Sequence, residues 1–298
     1  MNIDIKPLHP VFAAEVLGLD FSAPIDAMPI AEIKAAIDQY GVLVFRNDTL
    51  PTDEQHIEFS RAFGPIEIGK TFKIEGETRR RVPNPLLVDV GNMDADGNIL
   101  APDHRRMRFR MGDRLWHADM TFMENRATYS LLLGHEIPPS GGDTMFCDMR
   151  HAYDETPKTL RDAIEDLTVV HSIWHSRLLA GFPEPTREEL ESRPPVRHRM
   201  VHVHPGSGRK SLYLAAHASH ILDWPEEIGR ALIKGLMDFA TRPEWVYSHK
   251  WRKGDLVMWD NLSTMHRASE FEDTKYRRDV RRTTCREHPV GAEEPVYA

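Results

Sequence analysis

The chain has few cysteines, no long apolar run and no excess of basic residues. Its 298 residues include only two cysteines, Cys147 and Cys285, which are too few for a disulfide framework. Together with an N-terminus that has no apolar leader, this predicts a cytoplasmic protein. No stretch approaches the roughly 18 apolar residues of a membrane span. The net charge of −8 disfavours nucleic acids and anionic membranes as partners.

The patterns that are present predict a mainly β fold with flanking helices. A hydrophobic content of 41% and a charged content of 28% are typical of a globular protein, and the length fits one domain over 1–298. Helical spacing marks the early segments 30–39 and 52–63, whereas strand-like segments dominate the second half. An antiparallel β-core with helices outside, such as a jelly roll, follows from this order.

Two segments interrupt this pattern. Residues 66–113 are polar and irregular, and a loop of this length in a compact domain is typical of a mobile lid or a functional loop. Residues 181–199 are rich in proline and arginine and are predicted to be an insertion.

A histidine two residues before an acidic residue is weak evidence for a metal site. With 16 histidines and 46 acidic residues in the chain, about two such triplets are expected by chance. Two occur, at His56–Glu58 and at His117–Asp119. The first lies in a predicted helix, where such residues point in different directions. The second lies in a predicted strand over 115–122, where His117 and Asp119 share a face and could chelate one ion.

A third ligand has to come from elsewhere in the sequence. His266 follows a hydrophobic strand and a polar turn, and on local grounds a surface histidine is an equally good interpretation. His202 and His204 also share a strand face and could bind zinc, but we expect no carboxylate partner beside them. His217 and His220 carry the same ambiguity. Two histidines and one carboxylate with open positions form the ligand set of non-haem Fe(II) oxygenases.

Several ordered motifs make the chain resemble the taurine dioxygenase family of Fe(II)/2-oxoglutarate-dependent dioxygenases, and within it the members that act on aryloxyacetates. They are the Trp-His-Ala-Asp run at 116–119, the segments at 138–144 and 146–150, Gly-Arg-Lys at 208–210, the histidine-containing run at 216–220 and the segment at 254–261. The resemblance covers nearly the whole chain. It implies a double-stranded β-helix fold, with Fe(II), 2-oxoglutarate and O2 as cofactor and co-substrates.

The resemblance also implies roles for individual residues. His117, Asp119 and His266 would hold the iron. Thr144 and an arginine after His266 would hold the distal carboxylate of 2-oxoglutarate. A second arginine, four residues further on, would bind the acid group of the substrate, with His217 as a possible aid.

Strand alternation selects the register of those arginines. Arg278, Val280 and Arg282 share one face of a strand predicted over 277–284, and Asp279 lies on the other. Because valine prefers the core and aspartate the solvent, Arg278 should point at 2-oxoglutarate and Arg282 at the substrate.

The substrate class is less constrained than the cofactor. Aryloxyacetate hydroxylation with ether cleavage to a phenol and glyoxylate is the favoured interpretation. A taurine- or alkylsulfonate-type dioxygenase and a non-catalytic jelly-roll protein that binds a small acid are the alternatives. A nucleic-acid binder using the arginines at 277–286 is disfavoured by the acidity of the chain, and the oligomeric state stays open.

Basic residues of the 66–113 segment are further substrate-contact candidates, although solvated charges explain them as well: Lys70, Lys73, Arg79 to Arg81 and Arg105 to Arg110.

Overall fold

Sheets form the centre of the computed structural model, which describes residues 2–68 and 80–287. The strands in these ranges are β1 Asp4–Pro7, β2 Ala14–Leu17, β3 Val42–Phe45, β4 Val88–Asp89, β5 Ala127–Glu136, β6 Thr144–Asp148, β7 Thr168–His171, β8 Val196–Arg199, β9 Val201–Val203, β10 Lys210–Leu212, β11 Ala218–Ile221, β12 Val246–His249, β13 Leu256–Asp260, β14 Thr264–Ala268 and β15 Asp279–Arg286. The helices are α1 Ile30–Tyr40, α2 Asp53–Arg61, α3 Arg105–Arg110, α4 Met149–Glu155, α5 Lys158–Ile164, α6 Ile173–Leu179, α7 Arg187–Ser192 and α8 Glu226–Ala240.

The largest sheet has the strand order β1-β2-β3-β13-β5-β15-β4. Its pairings are antiparallel except that of β2 with β3. Smaller sheets have the orders β12-β6-β14, β11-β7-β8 and β10-β9, and across the described ranges the sheets do not close into a barrel. The predicted combination of β-sheets and flanking helices is confirmed. No helix in the described part of the chain is long and apolar enough to cross a membrane.

Strand β13 is buried on both faces, which explains its unbroken apolar sequence. Leu256 and Met258 belong to a core cluster that includes residues of α1 and α2. Val257 and Trp259 belong to a second cluster that includes Phe146 of β6, and the Trp259 and Phe146 rings lie 5.6 Å apart. Helices α1 and α2 therefore cover one face of the large sheet, and the β12-β6-β14 sheet covers the other.

The candidate iron ligand His266 lies between these two sheets. Its neighbour on β14, Met265, packs into a third core cluster, separate from the two described above. The His266 ring instead lies 4.6 Å from the Trp259 ring and 6.1 Å from the Phe146 ring. Strand alternation therefore directs His266 into the space between the sheets.

The strand predicted over 115–122 is wrong. His117 forms an isolated antiparallel bridge with His266, and a turn begins at Asp119. Met120 has a φ of 56°, which lies outside the strand region. The turn forms because the Asp119 backbone N–H donates to the side chain of Asn261, 3.0 Å away, instead of to a neighbouring strand.

The segment predicted to be irregular and the segment predicted to be an insertion both contain regular structure. Residues 80–113 include β4 and α3, and residues 181–199 include α7 and β8, which pairs with β7 as part of a sheet. Residues 69–79, and with them Lys70, Lys73 and Arg79, lie outside the described residues.

The last predicted strand begins two residues later than expected, at Asp279. The Arg278 backbone exchanges hydrogen bonds with Asn92 instead of with β5: its N–H donates to the Asn92 side chain at 2.8 Å, and its carbonyl accepts the Asn92 N–H at 3.2 Å. The chain therefore joins the large sheet only after this contact.

Candidate active site

A two-residue backbone bridge brings the two predicted histidine ligands together. The His117 N–H donates to the His266 carbonyl at 2.9 Å, and the His266 N–H donates to the His117 carbonyl at 2.7 Å. Their ring centroids lie 4.2 Å apart. Residues separated by about half the chain are thus held side by side by the backbone itself.

The hydrogen bonds of His117 determine which of its nitrogens is open. Its Nδ1 lies 2.8 Å from the Leu115 carbonyl oxygen. Because a carbonyl only accepts, Nδ1 carries the proton and Nε2 carries the lone pair. A neutral imidazole with an open Nε2 is the form that binds a metal ion.

Asp119 has a partner on each carboxylate oxygen. Ser130 of β5 donates its hydroxyl to Oδ2 at 2.6 Å, and Nη1 of Arg282 on β15 donates to Oδ1 at 2.5 Å. The Asn261 amide donates to the Ser130 hydroxyl at 3.0 Å, and the Trp259 indole N–H donates to Asn261 Oδ1 at 3.0 Å. This network orients the carboxylate, as partners of metal ligands commonly do.

His117, Asp119 and His266 form a group that could hold a metal ion. Their ligand atoms all lie within 4.8 Å of one another, and Nε2 of His266 lies 3.9 Å from Oδ2 of Asp119. All three side chains are buried. Burial, followed by the neighbouring His117 and the positive charge of Arg282, holds the pKa of His266 well below its usual value, so this imidazole is neutral. Two imidazoles and one carboxylate are a donor set that binds a divalent metal ion, and the residues present fit that set.

Arg278 is a buried guanidinium with capacity to bind an anion. It is 5% exposed, its Nη2 donates to the Gly142 carbonyl at 3.2 Å, and its Nε has no hydrogen-bond partner among the described residues. Burial, with the like charge of Arg110, lowers the pKa of Arg278 to about 9. With this pKa the guanidinium is still charged at neutral pH and has five N–H donors. Within the described ranges the Gly142 carbonyl satisfies only one of them, so the others can bind an anion.

Thr144 follows Gly142 by two residues at the start of β6 and is buried. Its hydroxyl oxygen accepts the Trp251 indole N–H at 3.0 Å. Because the indole can only donate, the hydroxyl proton of Thr144 remains available to an acceptor.

Arg282 faces inward, as the alternation predicted, but its nearest partner is the Asp119 carboxylate. Its Nε is buried and has no partner in the described structure. The expectation that Asp279, on the opposite face, is solvated is wrong, because Asp279 is 8% exposed and hydrogen-bonded by Arg81 and Arg281.

His217 lies beside the metal-ligand group. Its ring centroid is 6.0 Å from that of His117, and its Nδ1 lies 2.9 Å from the Thr121 hydroxyl. Burial, with the neighbouring His117, holds the pKa of His217 well below its usual value, so the ring is neutral. A neutral imidazole here can form hydrogen bonds but carries no charge.

Four arginines of the 80–113 segment bind groups of the protein itself. Arg81 pairs with Asp89 and Asp279, and Arg105 pairs with Glu189. Arg106 and Arg110 donate to backbone carbonyls of residues 90–93. These contacts hold the segment together and explain these arginines without a substrate.

The expectation that His204 has no carboxylate partner is wrong. Its Nε2 lies 2.5 Å from Oδ2 of Asp260, and the Ser207 N–H donates to its Nδ1 at 3.0 Å. Nε2 therefore carries a proton that it donates to Asp260, and these two residues lie with Asp38 in a second group whose ligand atoms are within 4.8 Å of one another. Nε2 of His202 likewise hydrogen-bonds to the Leu262 carbonyl. The partners are 56 and 60 residues away, which is why local patterns missed them.

Sequence patterns also missed Ser130 and Arg177. Ser130 lies inside an apolar strand, and Arg177 lies in the short helix α6, and neither has a motif around it. Both reach the site only through the packing of distant elements.

The site contains two imidazoles and a carboxylate at this spacing, which is the ligand set of non-haem Fe(II) oxygenases. Buried arginines lie beside these ligands. The family model described as "Taurine catabolism dioxygenase TauD, TfdA family" matches residues 4–284, and the chain belongs to this family. It is a 2-oxoglutarate-dependent dioxygenase, a class that uses Fe(II), 2-oxoglutarate and O2.

Proteins of similar sequence and structure match nearly the full length of the chain. It is 40% identical to the alpha-ketoglutarate-dependent 2,4-dichlorophenoxyacetate dioxygenase of Cupriavidus pinatubonensis, over 97% of this chain and 100% of that one. It is 33% identical to the (S)-phenoxypropionate/alpha-ketoglutarate-dioxygenase of Sphingobium herbicidovorans, over 92% of each. The crystal structure of AAD-2 in complex with Mn(II) and N-oxalylglycine superposes with a TM-score of 0.91 at 41% identity, over 99% of this chain and 100% of that one.

Proposed function

We propose that this dioxygenase hydroxylates a small aryloxy acid of the 2,4-dichlorophenoxyacetate type at the carbon between the ether oxygen and the carboxylate. One oxygen atom of O2 enters that C–H bond, and the other enters 2-oxoglutarate, which becomes succinate and CO2. The resulting hemiacetal collapses to a phenol and glyoxylate. The full-length similarity to a dioxygenase of that name carries the proposal.

We assign the metal to His117, Asp119 and His266, in line with the spacing of their ligand atoms. Fe(II) bound there, with 2-oxoglutarate and O2, supplies the oxidation of an unactivated C–H bond. The chain's own part is to bind, orient and exclude water. The burial of all three ligands supports the last of these roles.

Arg278 and Thr144 are the proposed partners of the distal carboxylate of 2-oxoglutarate. Arg278 contributes a buried charge with an unpartnered Nε, and Thr144 contributes a hydroxyl proton that is not used by Trp251. A planar guanidinium binds carboxylates in a bidentate way, which favours an arginine over a lysine in this role.

Arg282 and His217 are the proposed partners of the substrate's acid group. Arg282 can use the edge that Asp119 leaves free, and His217 offers a neutral ring near the metal ligands. We also propose that the β12-β6-β14 sheet and the large sheet correspond to the two sheets of the family's double-stranded β-helix. A cytoplasmic location and a homo-oligomeric state stay predictions.

A succinate-release screen tests the substrate class. Enzyme with Fe(II), 2-oxoglutarate and O2 is assayed with aryloxyacetates, aryloxypropionates, alkylsulfonates and no substrate. We expect the largest stimulation from aryloxyacetates, with release of the matching phenol. Stimulation by sulfonates alone would assign the enzyme to the taurine type instead.

A further inference from the structure

Arg177 is a buried cation on α6 that the roles assigned above do not use. It is 7% exposed, and its guanidinium carbon lies 4.3 Å from the centroid of the Phe109 ring. Its Nη2 donates to Oδ1 of Asp113 at 3.2 Å, whereas its Nε has no partner within the described ranges. The guanidinium thus has one ion pair and one aromatic ring as partners, and its Nε–H has no acceptor in the described part of the chain. Burying a charged group with an unsatisfied donor destabilises the protein unless a ligand supplies the acceptor.

Gly112 holds the position of this guanidinium. A Cβ atom built on Gly112 would lie 1.7 Å from Nη1 of Arg177, far inside contact distance. The guanidinium therefore packs directly on the backbone of residue 112, a place that only glycine leaves open. Arg177 is consequently preorganised, and a single methyl group at residue 112 would displace it without removing its charge.

Aromatic side chains connect Arg177 to the metal ligands. We use "aromatic wall" for Phe109, Phe122, Trp174 and Phe182, which pack together with Ile173. The Phe109 and Phe182 ring centroids are 5.5 Å apart. At the other end, the Phe122 centroid is 4.9 Å from that of His217. The aromatic wall therefore runs from the guanidinium to the side of the metal-ligand group and offers an apolar surface to a ring.

The charges around Arg177 favour an anion. Burial lowers the pKa of Arg177 and outweighs the opposing effect of Asp113, and the nearby positive charge of Arg282 lowers it further. Each of the two arginines has one carboxylate partner, Asp113 and Asp119 respectively. Asp119 is also the proposed metal ligand, so a bound divalent ion would share that charge and leave Arg282 short of negative charge.

We propose that Arg177 is a substrate-binding residue that acts beside Arg282: its free edge binds the carboxylate of the aryloxy acid, while the ring of that acid packs against the Phe122 end of the aromatic wall. The inference rests on the proposed function. It adds a second cation that selects acids over neutral aryl ethers.

The test is direct binding without turnover. Enzyme loaded with Mn(II) and N-oxalylglycine is titrated calorimetrically with 2,4-dichlorophenoxyacetate and with its methyl ester, which keeps the ring and lacks the charge. The proteins are wild type, Arg177→Gln, Arg177→Lys and Gly112→Ala. Arg105→Gln is the matched control, because Arg105 also lies over a ring of the aromatic wall, 4.9 Å from the Phe182 centroid, but is solvent-exposed.

We expect Arg177→Gln to weaken binding of the acid about 10- to 100-fold, the range of a charge-assisted hydrogen bond. Binding of the ester and of N-oxalylglycine should change less than about twofold, since neither uses this charge. Arg177→Lys should recover part of the affinity, Gly112→Ala should behave like Arg177→Gln, and Arg105→Gln should behave like wild type.

Equal weakening of acid and ester in Arg177→Gln would make Arg177 a structural clamp and overturn the inference. Unchanged acid binding in both Arg177→Gln and Gly112→Ala would overturn it as well. If wild type itself binds no aryloxy acid, the proposed substrate class fails and the inference fails with it. The wild-type titration therefore separates the two failures.

Discussion

The two faces of the segment 278–282, which leads into β15 and forms its start, carry the same kind of side chain in opposite roles. On the inward face, Arg278 and Arg282 border the candidate active site, and each has a buried Nε without a partner in the described structure. On the outward face, Arg281 donates to Asp53 at 2.5 Å and to Asp279 at 3.1 Å. The arginines of the inward face therefore have N–H donors without a partner among the residues described, whereas the arginine of the outward face is paired with two carboxylates.

The pKa values of Arg278 and Arg281 differ in the same way. Burial and the charge of Arg110 lower the pKa of Arg278, and no carboxylate hydrogen-bonds to it in the described residues. Burial also acts on Arg281, but its hydrogen bonds and ion pairs with Asp279 and Asp53 outweigh burial and raise its pKa. A buried arginine with a lowered pKa is therefore a better candidate for ligand binding than one with a raised pKa.

The largest expected effect comes from removing Asp119, which is both a proposed metal ligand and the partner of Arg282. Asp119→Ala should weaken Mn(II) binding by more than about 100-fold, beyond the effect of losing a residue that only orients a ligand. It should also abolish substrate-dependent succinate release. Equilibrium dialysis and a succinate assay measure the two effects.

Glu58→Ala is the control for this change, because it alters the other His-x-acid triplet at an exposed position of α2. It should bind Mn(II) like wild type. Normal Mn(II) binding by Asp119→Ala would refute the metal assignment.

Arg278→Gln and Arg281→Gln compare the two faces directly. Loss of the charged partner of 2-oxoglutarate should raise its dissociation constant about 10- to 150-fold in Arg278→Gln. Arg281→Gln should leave that constant within about twofold and lower the stability instead, because it breaks ion pairs away from the site. Anaerobic calorimetry and urea unfolding measure the pair. If the two variants exchange these effects, the register assigned to β15 is wrong.

Ser130→Ala tests whether the hydrogen bond from Ser130 orients Asp119 for metal binding. The Ser130 hydroxyl donates to Oδ2 of Asp119, and its loss should lower Mn(II) affinity about tenfold. Ser130→Thr keeps the hydroxyl and should recover part of the affinity. Wild-type Mn(II) affinity in Ser130→Ala would show that this hydrogen bond does not orient the ligand.

The last prediction concerns the outward face and changes stability, not ligand binding. Burial raises the pKa of Asp279, but hydrogen bonds and charges from Arg81 and Arg281 outweigh it and lower the pKa to about 2, from 3.8. A shift of this size corresponds to about 2 kcal/mol of stability. Asp279→Asn should lose about that amount at pH 7 without weakening 2-oxoglutarate binding.

The pH dependence of this loss has a definite sign. The folded-state pKa is below the unfolded one, so the contribution of Asp279 is complete above about pH 4 and is lost as the pH falls toward 2. The stability gap between wild type and Asp279→Asn in urea unfolding should therefore narrow below pH 4. A gap that stays constant down to pH 3 would mean that ion pairing does not hold this residue.

Local patterns were sufficient for the elements whose partners are set by periodicity. Alternation placed Arg278 and Arg282 on one face of the segment that leads into β15, helical spacing indicated α1 and α2, and the hydrophobic run before His266 indicated the strand β13. These signals depend on residues two to four apart, so one stretch of chain contains them. The pairing of His117–Asp119 with His266 also came from the sequence, but only through its resemblance to a family.

Tertiary structure alone decided which side chains complete the site. Arg282 reaches Asp119 across 163 positions, and the turn at Asp119 exists because Asn261, 142 positions later, accepts its N–H. The burial of Asp279 likewise depends on Arg81, 198 positions earlier. Hydrogen bonds and burial act over a few ångströms in space, and periodicity in the chain does not encode which distant residues meet there.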